Sequence, residues 1–381
     1  MTRRPRQRRP RGRSRVGERF TVEVGPVAHG GHCVARVPDE DAGPGGRVVF
    51  VRHALPGETV DIEVTEGTEG DRFWRADAVA VGVASPDRVE PPCPYAGPDA
   101  CGGCDFQHVA LPAQRALKAA VVREQLARLA GLDVPVEVEA VPGDDEGLRW
   151  RTRQRYVELP DGRRGMRKHR SHEVVPVDEC LLEADVAPTY TVRGREHSVA
   201  EGGFWQVHPG APEVLVATVL DLLRPQPGES ALDLYAGVGL FAGALLDSVG
   251  PGARVVAVEA DRQACTHARR NLGDAVEVAA GPVAQVLASA YDEPFDLVVL
   301  DPPREGARRA VVEQVADRRP RAAAYVACDP AALARDVAIF AEHGYRLAAL
   351  RAFDLFPMTS HAECISLLEP ADACARMRGT A

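Results

Sequence analysis

Aromatic side chains are scarce in this sequence. Phe, Trp and Tyr together make up 5% of the 381 residues, so Ala, Val and Leu must fill most of any core. No apolar run approaches the roughly 20 residues of a membrane span. The arginine-rich start lacks the apolar segment of a secretion signal. These absences predict a cytoplasmic protein with no membrane partner. Residues 1–15 contain no acid and eight arginines, and without them the chain has 38 basic against 55 acidic residues. A basic, disordered arm on an acidic body is expected either to attract a polyanionic partner or to serve only as a solvated tail.

The nine cysteines, Cys33, Cys93, Cys101, Cys104, Cys180, Cys265, Cys328, Cys364 and Cys374, are odd in number. In a large cytosolic chain this argues against a disulfide framework. Each must instead be a ligand, a nucleophile or a filler. Cys93, Cys101 and Cys104 are closely spaced and Cys180 stands alone downstream. Four thiolates of this kind hold either zinc or an iron–sulfur cluster, and spacing alone does not choose.

Short β-like runs open the chain: Arg19–Val24, His32–Val37, Arg47–Val51, Thr59–Thr65 and Asp71–Val81, separated by Gly and Pro turns. They predict a small β-barrel. A proline-rich connector, Pro86–Pro98, follows. Leu111–Leu129 has helical spacing and stops before Gly131. Residues 149–170 hold nine cations, Arg149, Arg151, Arg153, Arg155, Arg163, Arg164, Arg167, Lys168 and Arg170, against Glu158 and Asp161. If Arg149–Tyr156 is a strand, its alternating arginines share one face. Such a row would suit an RNA backbone, or it could be a solvated face paired with carboxylates elsewhere.

From about residue 212 strands and helices alternate, as in a mainly parallel doubly wound α/β sheet. The expected strands are Ser230–Tyr235, Arg254–Glu259, Ala275–Ala279, Phe295–Leu300 and Ala322–Ala327. Tyr345–Phe353 and Glu363–Glu369 are joined by only a short loop, which implies one antiparallel insertion at the sheet edge. No internal repeat is visible. The segment from Ala231 to Gly243 reads as strand, glycine turn and helix. Gly237 and Gly239 allow close backbone approach to a ligand, and Glu259 at the tip of the next strand suits ribose hydroxyls. That describes a nucleoside site, and from the loop alone NAD remains open. Asp301, before two prolines, and Cys328, before Asp329-Pro330, both fall at the C-terminal edge of the sheet. Asp329 is an expected N-cap with Pro at N1. A thiol at a helix start is expected to have a lowered pKa, which predicts a thiolate. Glu363 begins the last strand at the same edge and supplies a carboxylate base.

Phe204-Trp-Gln206, Asp233-Leu-Tyr-Ala-Gly-Val-Gly239, Val258-Glu259, Asp301-Pro-Pro-Arg304, Cys328-Asp-Pro330 and His361-Ala-Glu363 together resemble the S-adenosylmethionine-dependent RNA 5-methyluridine methyltransferases. The resemblance covers about residues 16–370. It implies four segments: the arm (1–15), a TRAM-like, OB-like β-barrel (16–84), a central α+β domain with a cluster and the basic patch (85–203), and a class I methyltransferase domain (204–381). It implies Cys328 as nucleophile at uracil C6 and Glu363 as base. It further implies Gln206, Tyr235, Gly237, Gly239, Glu259 and Asp301 at the cofactor, and Cys93, Cys101, Cys104 and Cys180 on a [4Fe–4S] cluster, with zinc as the alternative. The implied partner is RNA, rRNA before tRNA, acted on by a monomer. Asp329 stands where the family usually has Asn, Ala236 where Cys is usual, and Leu240 where many members have a polar residue. Two readings from other classes are an NAD-dependent oxidoreductase and an RNA-binding module that has lost activity.

Overall fold

The computed structural model describes residues 12–371. Five strands come first: β1 (Arg19–Glu23), β2 (Cys33–Val37), β3 (Arg47–Arg52), β4 (Thr59–Glu66) and β5 (Phe73–Val83). Helix α1 (Leu111–Ala130) follows, then the short strands β6 (Val138–Glu139), β7 (Val157–Glu158), β8 (Arg164–Arg167), β9 (Val174–Pro176), β10 (Thr191–Val192) and β11 (Arg195–Glu196). The remainder alternates: α2 (Ala211–Leu223), β12 (Ala231–Leu234), α3 (Leu240–Val249), β13 (Val255–Glu259), α4 (Arg262–Leu272), β14 (Glu277–Ala280), α5 (Val283–Ser289), β15 (Leu297–Leu300), α6 (Arg308–Asp317), β16 (Ala322–Ala327), α7 (Pro330–Glu342), β17 (Tyr345–Phe353) and β18 (Glu363–Pro370). Two compact units result. The first comprises the chain up to Leu117, Arg155–Cys180 and Pro357–Ser360; the second comprises Lys118–Gln154, Leu181–Phe356 and the chain from His361.

In the first unit the sheet order is β1-β4-β5-β3-β2, and the outer strands β1 and β2 also touch, so the sheet curls into a barrel. Alternation explains it: Val60, Ile62 and Val64 of β4 point inward with Ala35, Val37, Val49 and Val51, as a period of two requires. Trp74 fills the centre, and its indole N–H donates to the Thr68 carbonyl at 2.8 Å. Residues 1–11 of the basic arm lie outside the described residues. Its end differs from the free tail expected. Arg13 and Arg15 pair with Glu18 and Glu69, Arg15 lies over the Trp74 ring at 4.9 Å, and Ser14 bridges to Thr68.

In the second unit an eight-stranded sheet runs β14-β13-β12-β15-β16-β18-β17-β6. Strands β12 to β16 are mutually parallel and β18 is antiparallel to both neighbours. The antiparallel insertion is therefore present, but β17 and β6 lie outside it, so it is not the edge. Every residue of β12, β15 and β16 is buried, because helices cover both faces. The chain winds outward from β12 through β14 and returns to β15, which puts the topological switch between β12 and β15. Open α/β sheets bind ligands beyond the strand ends at this point.

The cations at 149–170 depart from expectation. Arg149 takes a left-handed φ of 57°, and no strand spans 149–156. The Arg153 guanidinium donates to the Gly202 and Gly203 carbonyls, and Arg149 pairs with Asp185. In the first unit Lys168 is held by Asp99 and Glu173, and Arg163 by Asp161. Among the described residues there is no one-sided guanidinium row on a strand, and several of these cations secure loops instead.

Buried Asp336 fixes the loop after β15. Its Oδ2 accepts from Ala307 N–H (2.7 Å), Arg308 N–H (3.2 Å) and the Tyr325 hydroxyl (2.5 Å). Tyr325→Phe removes a buried donor from this carboxylate and is expected to cost about 1–3 kcal/mol, measured as a lowered urea midpoint. An unchanged midpoint would show that the hydroxyl contributes nothing to holding the loop.

Candidate active site

The glycine turn is built as its sequence demands. Gly239 has φ 89°, and a Cβ there would lie 2.6 Å from Leu272 Cδ1. Gly237 has φ 55°, and nothing lies within 4 Å of where its Cβ would be. Tyr235 is also left-handed, at φ 64°. Buried Asp233 accepts from Ala242 N–H at 2.8 Å and so ties β12 to the start of α3. Glu259 accepts from Gly237 N–H at 2.8 Å through one carboxylate oxygen and from Asp261 N–H at 2.7 Å through the other. Each oxygen keeps a second lone pair for a ribose hydroxyl. Asp301 follows β15, where burial pushes its carboxyl up to about 7. Gln206 is half-buried in the loop before α2.

Strands β16 and β18 bring the two candidate catalytic groups to one edge. Ala327 pairs with Cys364 in antiparallel register, so Cys328 and Glu363 are one step further on, at the same edge. Asp329 caps α7 by accepting from Ala332 N–H at 2.8 Å, with Pro330 at the first helical position. The thiolate expectation is corrected here. Burial first, then the carboxylate of Glu363, pushes the Cys328 thiol up to about 12, with Arg304 opposing. The helix terminus is outweighed by desolvation and by nearby acids. Glu363 is 5% exposed, and burial with the Asp301 charge holds its carboxyl well above the ordinary range, again opposed by Arg304. Arg304 is 3.2 Å from His361 Nε2.

Arg304 and Asp233 lie within the motifs that carry the resemblance but had no role of their own there, and Asp336 lies in none of them. Each acid stands alone in an apolar segment, Ala-Leu-Asp-Leu and Ala-Arg-Asp-Val-Ala-Ile-Phe, which was the available signal.

The four clustered cysteines share one region of the first unit. Tyr95 Oη donates to Asp178 Oδ2 and accepts from Asp178 N–H, which ties the Cys93 loop to the segment that carries Cys180. A Cβ on Gly102 would lie 2.4 Å from His169 N, so glycine permits the Cys101 loop to lie against the end of β8. Burial raises the Cys93, Cys101 and Cys104 thiols, and Cys180 raises each of them further. Gly103 N–H and the Gln107 amide donate to Cys101 and Cys104 sulfur at 3.4 Å. Among the described residues no group of three or more His, Cys, Asp or Glu side chains is arranged to hold a metal ion. No helix among them is long and apolar enough to cross a membrane.

A raised thiol pKa has a definite sign: Cys328 stays protonated at neutral pH, and the thiolate fraction grows as pH rises toward 12. Alkylation at Cys328 by iodoacetamide, read by peptide mapping, should therefore climb ~10-fold per pH unit from pH 7 to 9. A plateau reached by pH 8 would mean a resting thiolate.

Residues 13–79 match the TRAM domain family, 212–324 the methyltransferase small domain, and 284–371 the tRNA (uracil-5-)-methyltransferase family. An uncharacterised RNA methyltransferase of Streptomyces coelicolor is 44% identical over 94% of either chain. The 23S rRNA (uracil(1939)-C(5))-methyltransferase RlmD of Shewanella sp. MR-7 is 30% identical over 86% of this chain and 92% of its own. The crystal structure of the Pyrococcus abyssi tRNA (uracil-54, C5)-methyltransferase shares the fold, with 21% identity, a TM-score of 0.63, and coverage of 91% of this chain and 99% of that one. With these relatives, a TRAM barrel and a thiol and a carboxyl at one edge of a class I sheet, the chain belongs to the S-adenosylmethionine-dependent RNA uracil-C5 methyltransferases.

Proposed function

We propose that the protein methylates C5 of a uridine in 23S rRNA through a covalent bond between Cys328 and C6. The observation that carries this reading is the register that seats Cys328 beside Glu363. Uracil C5 is a poor nucleophile. A bound sulfonium cation would favour the ionised forms of Cys328 and Glu363; with both protons released to solvent, the Cys328 thiolate adds to C6 and moves the ring electron pair toward C5 and O4, giving an enolate. C5 then attacks the sulfonium methyl, and the carbon–sulfur pair stays with the departing S-adenosylhomocysteine. Glu363 removes the C5 proton, the C5–C6 double bond re-forms, and Cys328 leaves. A carboxylate of raised pKa is a better base near neutrality than an exposed one, and sulfur serves as both nucleophile and leaving group. The uridine must leave its stack to reach this edge.

The cofactor nucleoside is assigned to Gln206, Tyr235, Gly237, Gly239, Glu259 and Asp301. Open space in front of Gly237 and the remaining lone pairs on Glu259 support this. The RlmD relatives support rRNA, and the family matched by residues 284–371 supports tRNA as the second reading. The protein is proposed to act as a cytoplasmic monomer.

We also propose that Cys93, Cys101, Cys104 and Cys180 hold a [4Fe–4S] cluster. Four cysteines in one region of the first unit, with N–H donors on two of the sulfurs, suit a soft multi-iron centre. Zinc, which also accepts four thiolates, is the alternative. The cluster's role would be to stabilise this unit and position RNA. Anaerobically purified protein should carry iron and acid-labile sulfide; a colourless, zinc-loaded sample would overturn the assignment.

Cys328→Ala should abolish transfer of labelled methyl from S-adenosylmethionine to unmodified 23S rRNA while preserving cofactor binding. Full activity in the variant would exclude the covalent route. Transfer to unmodified tRNA but not rRNA would replace the rRNA assignment.

A further inference from the structure

Among the described residues, those between β11 and α2 belong to no helix or strand. Gln206 lies on this loop. The backbone carbonyls of such a loop have no ladder to join and need donors from elsewhere. At its start, Asn271 of α4 accepts from Ser198 N–H at 2.7 Å. The Asn271 amide donates to the Ser198 carbonyl at 3.1 Å and to the carbonyl of Val238, in the glycine turn, at 2.9 Å. In the middle, Arg153 Nη1 donates to the Gly203 carbonyl at 2.7 Å and to the Gly202 carbonyl at 3.2 Å. At its end, the Val207 carbonyl accepts from Thr152 N–H at 2.8 Å and from the Thr152 hydroxyl at 2.9 Å. His208 Nδ1 accepts from Gly210 N–H, so in the neutral ring Nε2 carries the hydrogen and donates to Asp144 at 3.1 Å.

The segment that supplies Thr152 and Arg153 is itself fixed. Arg149 N–H and Arg151 N–H donate to the Leu181 and Leu182 carbonyls at 2.9 and 2.7 Å, and Ala184 N–H donates to the Arg151 carbonyl at 2.9 Å. Thr152 N–H turns the other way, to Val207. Residues 149–153 are therefore stitched to 181–184 on one side and to the Gln206 loop on the other.

These bonds fix the backbone on both sides of Gln206. Trp205, which precedes it, is 8% exposed and shares an apolar core with Ala236 and Val238 of the glycine turn. Its indole N–H donates to the Thr189 carbonyl at 3.1 Å. Gln206 is half-buried, and its amide bonds to no other described residue. A side chain with a pinned backbone and an uncommitted amide is preorganised for a ligand, because little ordering remains to be done when the ligand arrives.

We propose that Arg153, helped by Thr152, is a positioning residue for the methyl donor: it holds the loop that presents Gln206 to S-adenosylmethionine. The proposal rests on Gln206 being a cofactor contact. An arginine from the most basic stretch of the body would then serve the cofactor through two neutral carbonyls.

The test uses full-length protein purified anaerobically with its metal content, and unmodified 23S rRNA as methyl acceptor. Arg153→Ala should raise the KM for S-adenosylmethionine about tenfold, the size of one hydrogen bond to a charged group. The KM for rRNA and the salt dependence of rRNA binding should stay as in the unaltered protein. Thr152→Val keeps the side-chain shape, loses the hydroxyl donor and should raise the cofactor KM about threefold. Arg153→Lys, whose ammonium can donate to both carbonyls, should restore most of the loss. Gln206→Ala should also raise the cofactor KM, and adding Arg153→Ala to it should raise it little further, because one residue acts through the other. A cofactor KM unchanged in both Arg153→Ala and Thr152→Val would overturn the proposal and leave the assignment of Gln206 standing. Full additivity of Arg153→Ala and Gln206→Ala would overturn it too. A raised KM for rRNA with a shallower salt dependence would make Arg153 a phosphate contact instead. No effect of Gln206→Ala alone would remove the assignment of Gln206, and the proposal with it.

Discussion

The antiparallel pairing of β18 with β16 is the constraint on which the reacting centre depends. Parallel α/β sheets end their strands at one edge, and each strand tip delivers whatever side chain follows it. Asp301 and Cys328 arrive in this way, behind β15 and β16. Glu363 comes from the opposite direction, at the start of a strand, and reaches the same edge only because β18 runs antiparallel to β16. Ala327 and Cys364 are the last pair in register. A slip of one residue would turn the side chains of β18 to the opposite face and take Glu363 away from the thiol. Buried Ile365 and Leu368 hold that register.

This placement sets the electrostatics. Cys328, Glu363 and Asp301 are all pushed toward their neutral forms, and Arg304 is the cation opposing the shift at Cys328 and Glu363. Burial of this kind stabilises uncharged groups until a positive charge enters. The sulfonium of S-adenosylmethionine carries such a charge. A site poised in this way gains its ionised groups when a cationic substrate arrives. The loop that carries Arg304 is held by Asp336, which ties the one opposing cation to the core through the Tyr325 hydroxyl.

Much of this was legible in the sequence, and for identifiable reasons. Short β-like runs bounded by Gly and Pro turns located the barrel strands to within two residues at either end. The apolar runs ending in Glu259, Asp301 and Cys328 marked the functional edge, because an apolar strand that stops at a polar residue emerges from the core there. What failed were inferences that needed distant partners. Arg149, Arg151, Arg153 and Arg155 alternate as if on a strand, yet the Gly202 and Gly203 carbonyls that take Arg153 are some fifty residues away. The Cys328 thiolate was inferred from a local helix start, whereas its thiol form follows first from burial and then from Glu363, both of which sequence distance conceals. The end of the basic arm was read from composition, but Glu18, Glu69 and Trp74 give Arg13 and Arg15 fixed places on the barrel.

If Glu363 removes the C5 proton, replacing it with a group that cannot accept a proton should halt the reaction after methyl transfer, with RNA still bonded to Cys328. The most direct measurement is therefore mass mapping of Glu363→Gln after incubation with S-adenosylmethionine and unmodified 23S rRNA under denaturing conditions. The expected result is a methylated uridine joined to the Cys328 peptide. Release of 5-methyluridine at the unaltered rate, with no adduct at Cys328, would contradict the covalent route and the pairing of these two residues as nucleophile and base.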